Sequence, residues 1–318
     1  MSFWNNIKRP IFVLAPMADV TDSAFRRLIA KYGKPDVTWT EFVSADGLAY
    51  APEEGRKKLL KDLEFSESER PIVAQFFTSS PENMKKAAEL AVKLGFDGVD
   101  INMGCPDKSI EKQCAGASLM KNPKLARELI RAAKEGAGNL PVSVKTRLGY
   151  NKDELEEWLP ELLAENPAVI TVHARTRKEM SLVPARWERV KRAVEIRNEL
   201  GSETLIFGNG DLQNIDDAKK RVEDTGADGA MLGKAIFGNP WLFSKPTHTP
   251  TLSEKLKVCV EHTKLFEELL GDVKNFAIMK KHFKAYVNGF DGAVELRTKL
   301  MNTNNAGEVE EIVNNFLA

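Results

Sequence analysis

One cysteine is better placed for chemistry than any other residue of this chain. In Gly98-Val-Asp-Ile-Asn102-Met-Gly-Cys105-Pro106 the Cys105 thiol follows a strand-like apolar run by a few residues and sits in a Gly/Pro turn, where a side chain is presented rather than packed. A thiol there can donate a proton, attack as a nucleophile, or fill space as a small apolar group. With an unperturbed pKa of about 8.5 it stays mostly protonated near neutral pH, which suits an acid. No basic residue adjoins it, and Lys108 is the cation in sequence that could lower its pKa. Cys114 and Cys259 have apolar neighbours and read as small buried residues.

Other apolar runs end in residues that complete a site. They are Pro16-Met17-Ala18, Gln75, Asn102, Lys145 with Arg147, His173 with Arg175, Asn209-Gly210-Asp211, and Gly233-Lys234. Gly208-Asn209-Gly210-Asp211 follows the seventh run and Gly233-Lys234 the eighth, where barrel enzymes commonly build a phosphate site from backbone N–H groups. The plain alternative is a pair of ordinary glycine turns, against which Lys234 adds a cation where an anion is expected. Gln75 and Asn102 supply amide donors and acceptors for a planar ligand, and Lys145 supplies a charge near the barrel axis. That mix suits FMN, with its hydrogen-bonding pyrimidine edge, an N1/C2 side that becomes anionic on reduction, and a terminal phosphate. Lys145 could instead form a Schiff base as in barrel aldolases, and His173 could be a core histidine.

Eight runs must position these ends: Ile11–Ala15, Val37–Phe42, Ile72–Phe76, Gly98–Asn102, Val142–Thr146, Val169–His173, Thr204–Gly208 and Gly229–Leu232. Each is followed by a polar or Gly/Pro turn and a charged helical stretch, such as Glu82–Leu94 or Pro123–Ala137 with its apolar stripe. The rhythm predicts a (β/α)8 TIM barrel, an α/β fold whose strands are apolar throughout because both faces are covered. A doubly wound open sheet fits less well, since the polar ends are spread over nearly all runs rather than gathered at one switch point. Ser244–Pro250 reads as a linker, and Thr251-Leu-Ser-Glu254 has capping-box spacing. The expected organisation is therefore a catalytic barrel at 1–245 and a small C-terminal all-helical domain at 251–318. Phe276, Met279 and Phe283 recur there at helical spacing as core.

Composition narrows the class. The chain has 318 residues, 42% of them apolar and 29% charged, the profile of a globular protein rather than a disordered one. No run approaches the roughly 20 apolar residues of a membrane span, and the N-terminus lacks a signal core, so a cytoplasmic location is expected. Three scattered cysteines without a Cys-x-x-Cys make neither a disulfide framework nor a zinc pattern, and no metal is expected. Lys plus Arg and Asp plus Glu both number 46, so a nucleic-acid partner would need a local basic patch.

These residues resemble the tRNA-dihydrouridine synthases. The likeness runs from Ala15-Pro-Met-Ala18 and Thr40-Glu-Phe-Val-Ser44 through Asp100-Ile-Asn-Met-Gly-Cys-Pro106 and Gly116-Ala to Lys145-Thr-Arg147. It continues through His173-Ala-Arg-Thr-Arg177 and Gly208-Asn-Gly-Asp211 to Met279-Lys-Lys-His-Phe283 and Gly292-Ala-Val-Glu-Leu-Arg297. The resemblance implies a barrel with a C-terminal helical domain, reduction of a tRNA uridine to 5,6-dihydrouridine, FMN recharged by NADPH, and a monomer. It implies Cys105 as proton donor to C5 of the uracil, opposite a hydride from flavin N5 to C6. Implied FMN contacts are Pro16, Met17, Ala18, Gln75, Lys145, His173, Asn209, Gly210, Asp211, Gly233 and Lys234. Two departures stand out: Gly233-Lys234 replaces the usual Gly-Arg, losing a bidentate fork, and Lys178–Ala185 lacks the glycine of the family's loop.

A uridine within folded tRNA has to be flipped out to reach such a site, so a basic rim is expected. Asn102 and Arg147 are candidates for holding the base or the thiol. Arg175, Arg177, Lys178, Lys280, Lys281, Lys284, Arg297 and Lys299 are candidates for phosphate contact, with a merely solvated lysine face as the alternative. Two rival functions fit part of the pattern: a barrel flavoprotein acting on a free pyrimidine, like dihydroorotate dehydrogenase, and a catalytically silent RNA-binding barrel.

Overall fold

The structure, a computed structural model, describes residues 2–318. Eight strands, β1 (Ile11–Leu14), β2 (Thr38–Ser44), β3 (Ile72–Phe77), β4 (Gly98–Met103), β5 (Val142–Arg147), β6 (Val169–His173), β7 (Leu205–Asn209) and β8 (Gly229–Leu232), alternate with helices. All pair in parallel in the order β1-β8-β7-β6-β5-β4-β3-β2. A bridge between Val13 and Val37, next to the start of β2, joins the two ends of this order and closes the barrel.

Every residue of β1, β3, β4, β7 and β8 is buried, which is why their sequences are not amphipathic. The two faces nevertheless serve different cores. Ile11, Val13, Trp39, Val73, Val169, Leu205, Phe207 and Met231 fill the barrel, with Trp4 packed against Trp39 and Phe207. Phe12, Leu14, Ala74, Phe76 and their counterparts point outward to the helices.

Barrel helices include α1 (Ser23–Tyr32), α2 (Ala45–Tyr50), α3 (Glu53–Asp62), α4 (Pro81–Leu94), α5 (Lys108–Glu111), α6 (Pro123–Ala137), α7 (Leu155–Leu163), α8 (Trp187–Glu199) and α9 (Ile215–Thr225). Their starts are chemically marked. Ser80 and Asn122 accept from the N–H groups of Asn83 and Leu125, and each is followed by a proline that needs no donor at the first helical position.

Beyond the barrel, α10 (Leu252–Leu270), α11 (Met279–Tyr286), α12 (Ala293–Leu300) and α13 (Ala306–Leu317) form a helical subdomain. It opens on a reciprocal capping box between Thr251 and Glu254. It docks on α1, where the Phe25 ring stacks on His262 at 4.7 Å and meets His282 edge-on at 4.9 Å. Met279 and Phe283 are fully buried.

Three local features differ from the sequence expectation. β2 starts at Thr38 and runs on to Ser44, with an extra residue between Trp39 and Phe42 relative to β3. β7 starts at Leu205, because the Thr204 backbone is bonded outside the ladder, its N–H donating to Ser202 Oγ at 3.3 Å and its carbonyl accepting from Arg197 Nη1 at 2.8 Å. Cys114 is exposed at φ 57° in the turn after α5, not buried, whereas Cys259 is fully buried.

Gly208 in β7 shows how tightly helix and strand meet. A Cβ there would lie 2.3 Å from the Trp187 ring at the start of α8. Gly208→Ala should therefore cost about 1–3 kcal/mol, read as a lowered denaturation midpoint with unchanged slope in urea.

Candidate active site

The register of the parallel strands sets the site. Asn102 is level with Lys145, and Arg147, His173, Asn209 and Met231 are successive register partners across β5 to β8. At this end a cleft of about 640 Å³, open mouth included, is lined by Ala15, Pro16, Met17, Lys145, His173, Arg175, Asn209, Gly210, Asp211, Gly233 and Lys234. Ser181, Leu212 and Met231 also line it and are absent from the sequence-based set. Met231 was foreseeable as the inward residue of β8 one step before its end, whereas Ser181 belongs to a loop with no periodicity to reveal its direction.

The floor is cationic. Lys145 donates to Asn209 Oδ1 at 3.3 Å, a long bond, while Asn209 Nδ2 donates to the Met231 carbonyl at 2.7 Å. Burial, reinforced by Arg147, pulls the Lys145 ammonium down to about 8. Among the described residues Lys234, exposed at the rim, has no ion-pair partner. His173 is held neutral: burial and the cations Arg147, Lys145, Arg175 and Lys234 push its pKa well below the ordinary value. Arg175 Nη1 lies 3.2 Å from His173 Nε2, and a guanidinium can only donate, so Nε2 is the acceptor and the ring proton sits on Nδ1.

Arg175 itself is buried. Its Nη2 donates to Asp211 Oδ2 at 2.5 Å and its Nε to the Val183 carbonyl at 2.6 Å. The same Asp211 oxygen accepts from the Ala185 N–H, so Asp211, at φ 55°, ties the glycine turn to the loop after β6. Gly210 is required beside it, since its φ is 127° and a Cβ would lie 2.8 Å from that of Ala185.

Cys105 is half-buried beside this cleft, in contact with Phe77, Ile110 and Ala115. Asn102 fixes its turn by accepting from the N–H groups of Gly104 at 3.1 Å and Cys105 at 2.9 Å. Asn102 Nδ2 donates to Gln75 Oε1 at 3.0 Å, and Gln75 Nε2 donates to Asp100 Oδ2 at 2.6 Å. Arg147, also buried, ties this turn to the loop after β6, its Nε donating to the Gly104 carbonyl at 2.7 Å and its Nη1 to that of Met180 at 3.0 Å.

This chain matches the family model for dihydrouridine synthase over residues 13–318. It belongs to that family. It is 41% identical over 317 residues to the probable tRNA-dihydrouridine synthase 2 of Bacillus subtilis (strain 168), covering 99% of this chain and 96% of the relative. To the probable tRNA-dihydrouridine synthase of Staphylococcus aureus (strain MRSA252) it is 40% identical over 319 residues, covering 100% and 96%. Among solved structures, histamine dehydrogenase from Rhizobium sp. 4-9 shares the fold with a TM-score of 0.54 at 13% identity, over 80% of this chain and 48% of that one. Morphinone reductase shares it with a TM-score of 0.50 at 13% identity, over 75% and 87%.

Within this dihydrouridine synthase fold, several expected ligand contacts are occupied by the protein itself. Gln75 is fully buried with both ends of its amide bonded inside the strand network, and the cleft wall is built without it. Asn102 turns its carbonyl oxygen to the Cys105 turn rather than outward. Ala18 is exposed just past the lining residues Pro16 and Met17. Of the basic candidates, Arg177 is bound in a fork to Glu111, Arg297 donates to the Val287 carbonyl at 3.2 Å, and Lys281 lies 4.0 Å from Asp19. Lys178, Lys284 and Lys299 are exposed and Lys280 is half-exposed. Among the described residues no helix is long and apolar enough to cross a membrane, and no cluster of three or more His, Cys, Asp or Glu could hold a metal.

The three thiols have distinct surroundings. Burial pushes the Cys105 thiol above its ordinary value, and the Asp107 charge adds to this. The Asp107 backbone N–H and the cations Lys145 and Arg147, rather than Lys108, pull the other way without reversing it. Burial alone pushes Cys259 up to about 12. Timed alkylation with iodoacetamide at pH 7.5, read by peptide mass spectrometry, should label exposed Cys114 first, Cys105 more slowly and Cys259 only after denaturation. Faster labelling of Cys105 than of Cys114 would contradict its description as a protonated thiol.

Proposed function

We propose that the chain reduces specific uridines of tRNA to 5,6-dihydrouridine, with FMN as resident cofactor and NADPH as its reductant. The observation that carries this reading is a protonated thiol, fixed by Asn102, beside a cleft whose cations lack enough anionic partners. In a dihydrouridine synthase those cations fit a flavin phosphate and an electron-rich ring. Lys145 has only one long hydrogen bond to give up, and Gly233 leaves room, since a Cβ there would meet nothing closer than Ala15 at 3.5 Å.

Pro16, Met17, Lys145, His173, Asn209, Gly210, Asp211, Gly233 and Lys234 would hold FMN, with the phosphate taken by backbone N–H groups of the Gly210 and Gly233 turns and by Lys234. Asp211 contributes through its backbone, because its carboxylate is committed to Arg175. Gln75 acts at one remove, by holding Asn102. When bound and reduced, the flavin supplies the hydride that C6 of the uracil receives. Cys105 gives its S–H proton to C5 and is left as a thiolate beside Lys145 and Arg147. Its raised pKa then favours reprotonation from solvent, which resets the acid. The working unit in this reading is a monomer.

The barrel, residues 1–245, would carry the reaction, and the helical region 251–318 would grip the tRNA. Lys178, Lys280, Lys284 and Lys299 are the open cations for phosphate contact, while Arg175, Arg177 and Arg297 shape the rim through their intramolecular bonds.

Cys105→Ala should keep its yellow FMN and its NADPH oxidation but form dihydrouridine in a tRNA transcript at least about 100-fold more slowly. Normal product formation by that variant would overturn the assignment. Lys145→Ala should instead lose flavin during gel filtration or reduce it more slowly, and wild-type flavin content and reduction rate would refute its role. Assay of free uracil beside the transcript separates tRNA reduction from a free-pyrimidine activity, which would show turnover on uracil alone.

A further inference from the structure

The Thr40–Ser44 segment takes no part in the cleft, yet it carries a buried acid at an irregular point of β2. One extra residue lies between Trp39 and Phe42 relative to β3, and the Thr40 hydroxyl stabilises this bulge by accepting from the Gln75 N–H at 3.1 Å and donating to the Glu41 carbonyl at 2.8 Å. A bulge re-aims the side chain it carries. Here Glu41, 5% exposed, is directed at two partners from different parts of the molecule. Its Oε1 accepts from the Asp19 N–H at 2.5 Å, and its Oε2 accepts from Lys274 Nζ at 2.7 Å.

Asp19 holds a left-handed φ of 53° in the turn that follows Pro16 and Met17, two residues of the cleft wall. Lys274 comes from the helical subdomain, just beyond α10, and also lies 2.8 Å from Asp62 at the end of α3. Lys281 of α11 approaches the Asp19 carboxylate at 4.0 Å, a second and looser link to the same turn.

We propose that Lys274, through Glu41 and the Asp19 amide, is a latch by which seating of the helical subdomain sets the Pro16–Met17 wall of the flavin cleft. Lys274 is a positioning residue: it touches neither the cleft nor Cys105, and it acts by holding the carboxylate that holds the turn. The inference rests on the reading of the cleft as an FMN site. A strained turn needs an over-determining surrounding, and here half of that surrounding arrives from a different part of the chain. The helical subdomain would then be needed for flavin retention as well as for tRNA.

The test cuts the latch at two points in the full-length, deflavinated protein. FMN is titrated into wild type, Lys274→Met, Glu41→Ala and the double variant by flavin fluorescence quenching, and amide exchange of the 16–21 segment is followed by mass spectrometry. Each single variant should bind FMN roughly tenfold more weakly and exchange the Asp19 amide faster, and the double variant should lose no more than either single one. Unchanged FMN affinity in a Lys274→Met protein with native circular dichroism would overturn the latch, as would losses that add. If Lys274→Met alone fails to fold because Glu41 is stranded, the double variant removes the unpaired carboxylate and gives the reading. Wild type that binds no FMN would refute the flavin reading instead, and the exchange of the Asp19 amide, which needs no flavin, would still decide the latch.

Discussion

Closure of eight parallel strands is the constraint on which everything else rests. A closed parallel sheet leaves all strand carboxyl ends at one mouth, and its register puts residues from far-apart parts of the sequence at one height. That is how Arg147, His173, Asn209 and Met231 become neighbours although 84 positions separate the first from the last. Closure also forces helices close against strands, so Gly208 and Gly210 are fixed by Trp187 and Ala185 before any ligand is considered. The Trp187 indole then donates to the Gly210 carbonyl at 2.9 Å, so packing and turn geometry are the same event.

Once the mouth is assembled, its electrostatics follow from crowding. Lys145, Arg147, Arg175 and Lys234 act on one histidine, and Asp211 is the acid paired among them. Burial disfavours each charge and like charges nearby add to it, which is why Lys145 falls to about 8 and Arg147 to about 10. An anion in the cleft would relieve Lys145 and Lys234, so these two cations without a carboxylate partner argue for a phosphate-bearing ligand more strongly than any single residue does. Cys105 escapes conversion to a thiolate because its burial outweighs these cations.

Much of this was legible in the sequence, for identifiable reasons. Strands covered on both faces are apolar throughout, so all eight could be placed within one or two residues, and Thr251 with Glu254 announced the start of α10. Glycines at strand ends pointed to the cleft because few other reasons exist for them there. What could not be read were pairings between distant residues. Nothing local says that Arg177 is neutralised by Glu111 rather than open to RNA, or that the amides of Gln75 and Asn102 bond each other. Cys114 departs from the expectation of burial because apolar neighbours in sequence do not foretell a left-handed turn.

The Glu41 node belongs to the same illegible class and shows why such pairings persist. Burying an acid and an amine together is weak evidence for stability, since desolvation can cancel the attraction, and an apolar pair of equal size can do as well. A charged pair differs from an apolar pair in one respect: moving either partner away strands a buried charge, a cost of about 3–5 kcal/mol. Lys274 reaching Glu41 and Asp62 together favours the observed seating of the segment after α10 against the barrel, and Glu41 reaching the Asp19 amide favours the observed shape of the turn after β1. At the neighbouring α1–α10 contact, Phe25 packs on the two histidines while Glu261 accepts from Lys31 Nζ and Tyr32 OH, each at 2.6 Å. Seating of the helical region is therefore shared among polar contacts, and of these it is the Glu41 link that reaches the turn carrying the cleft wall.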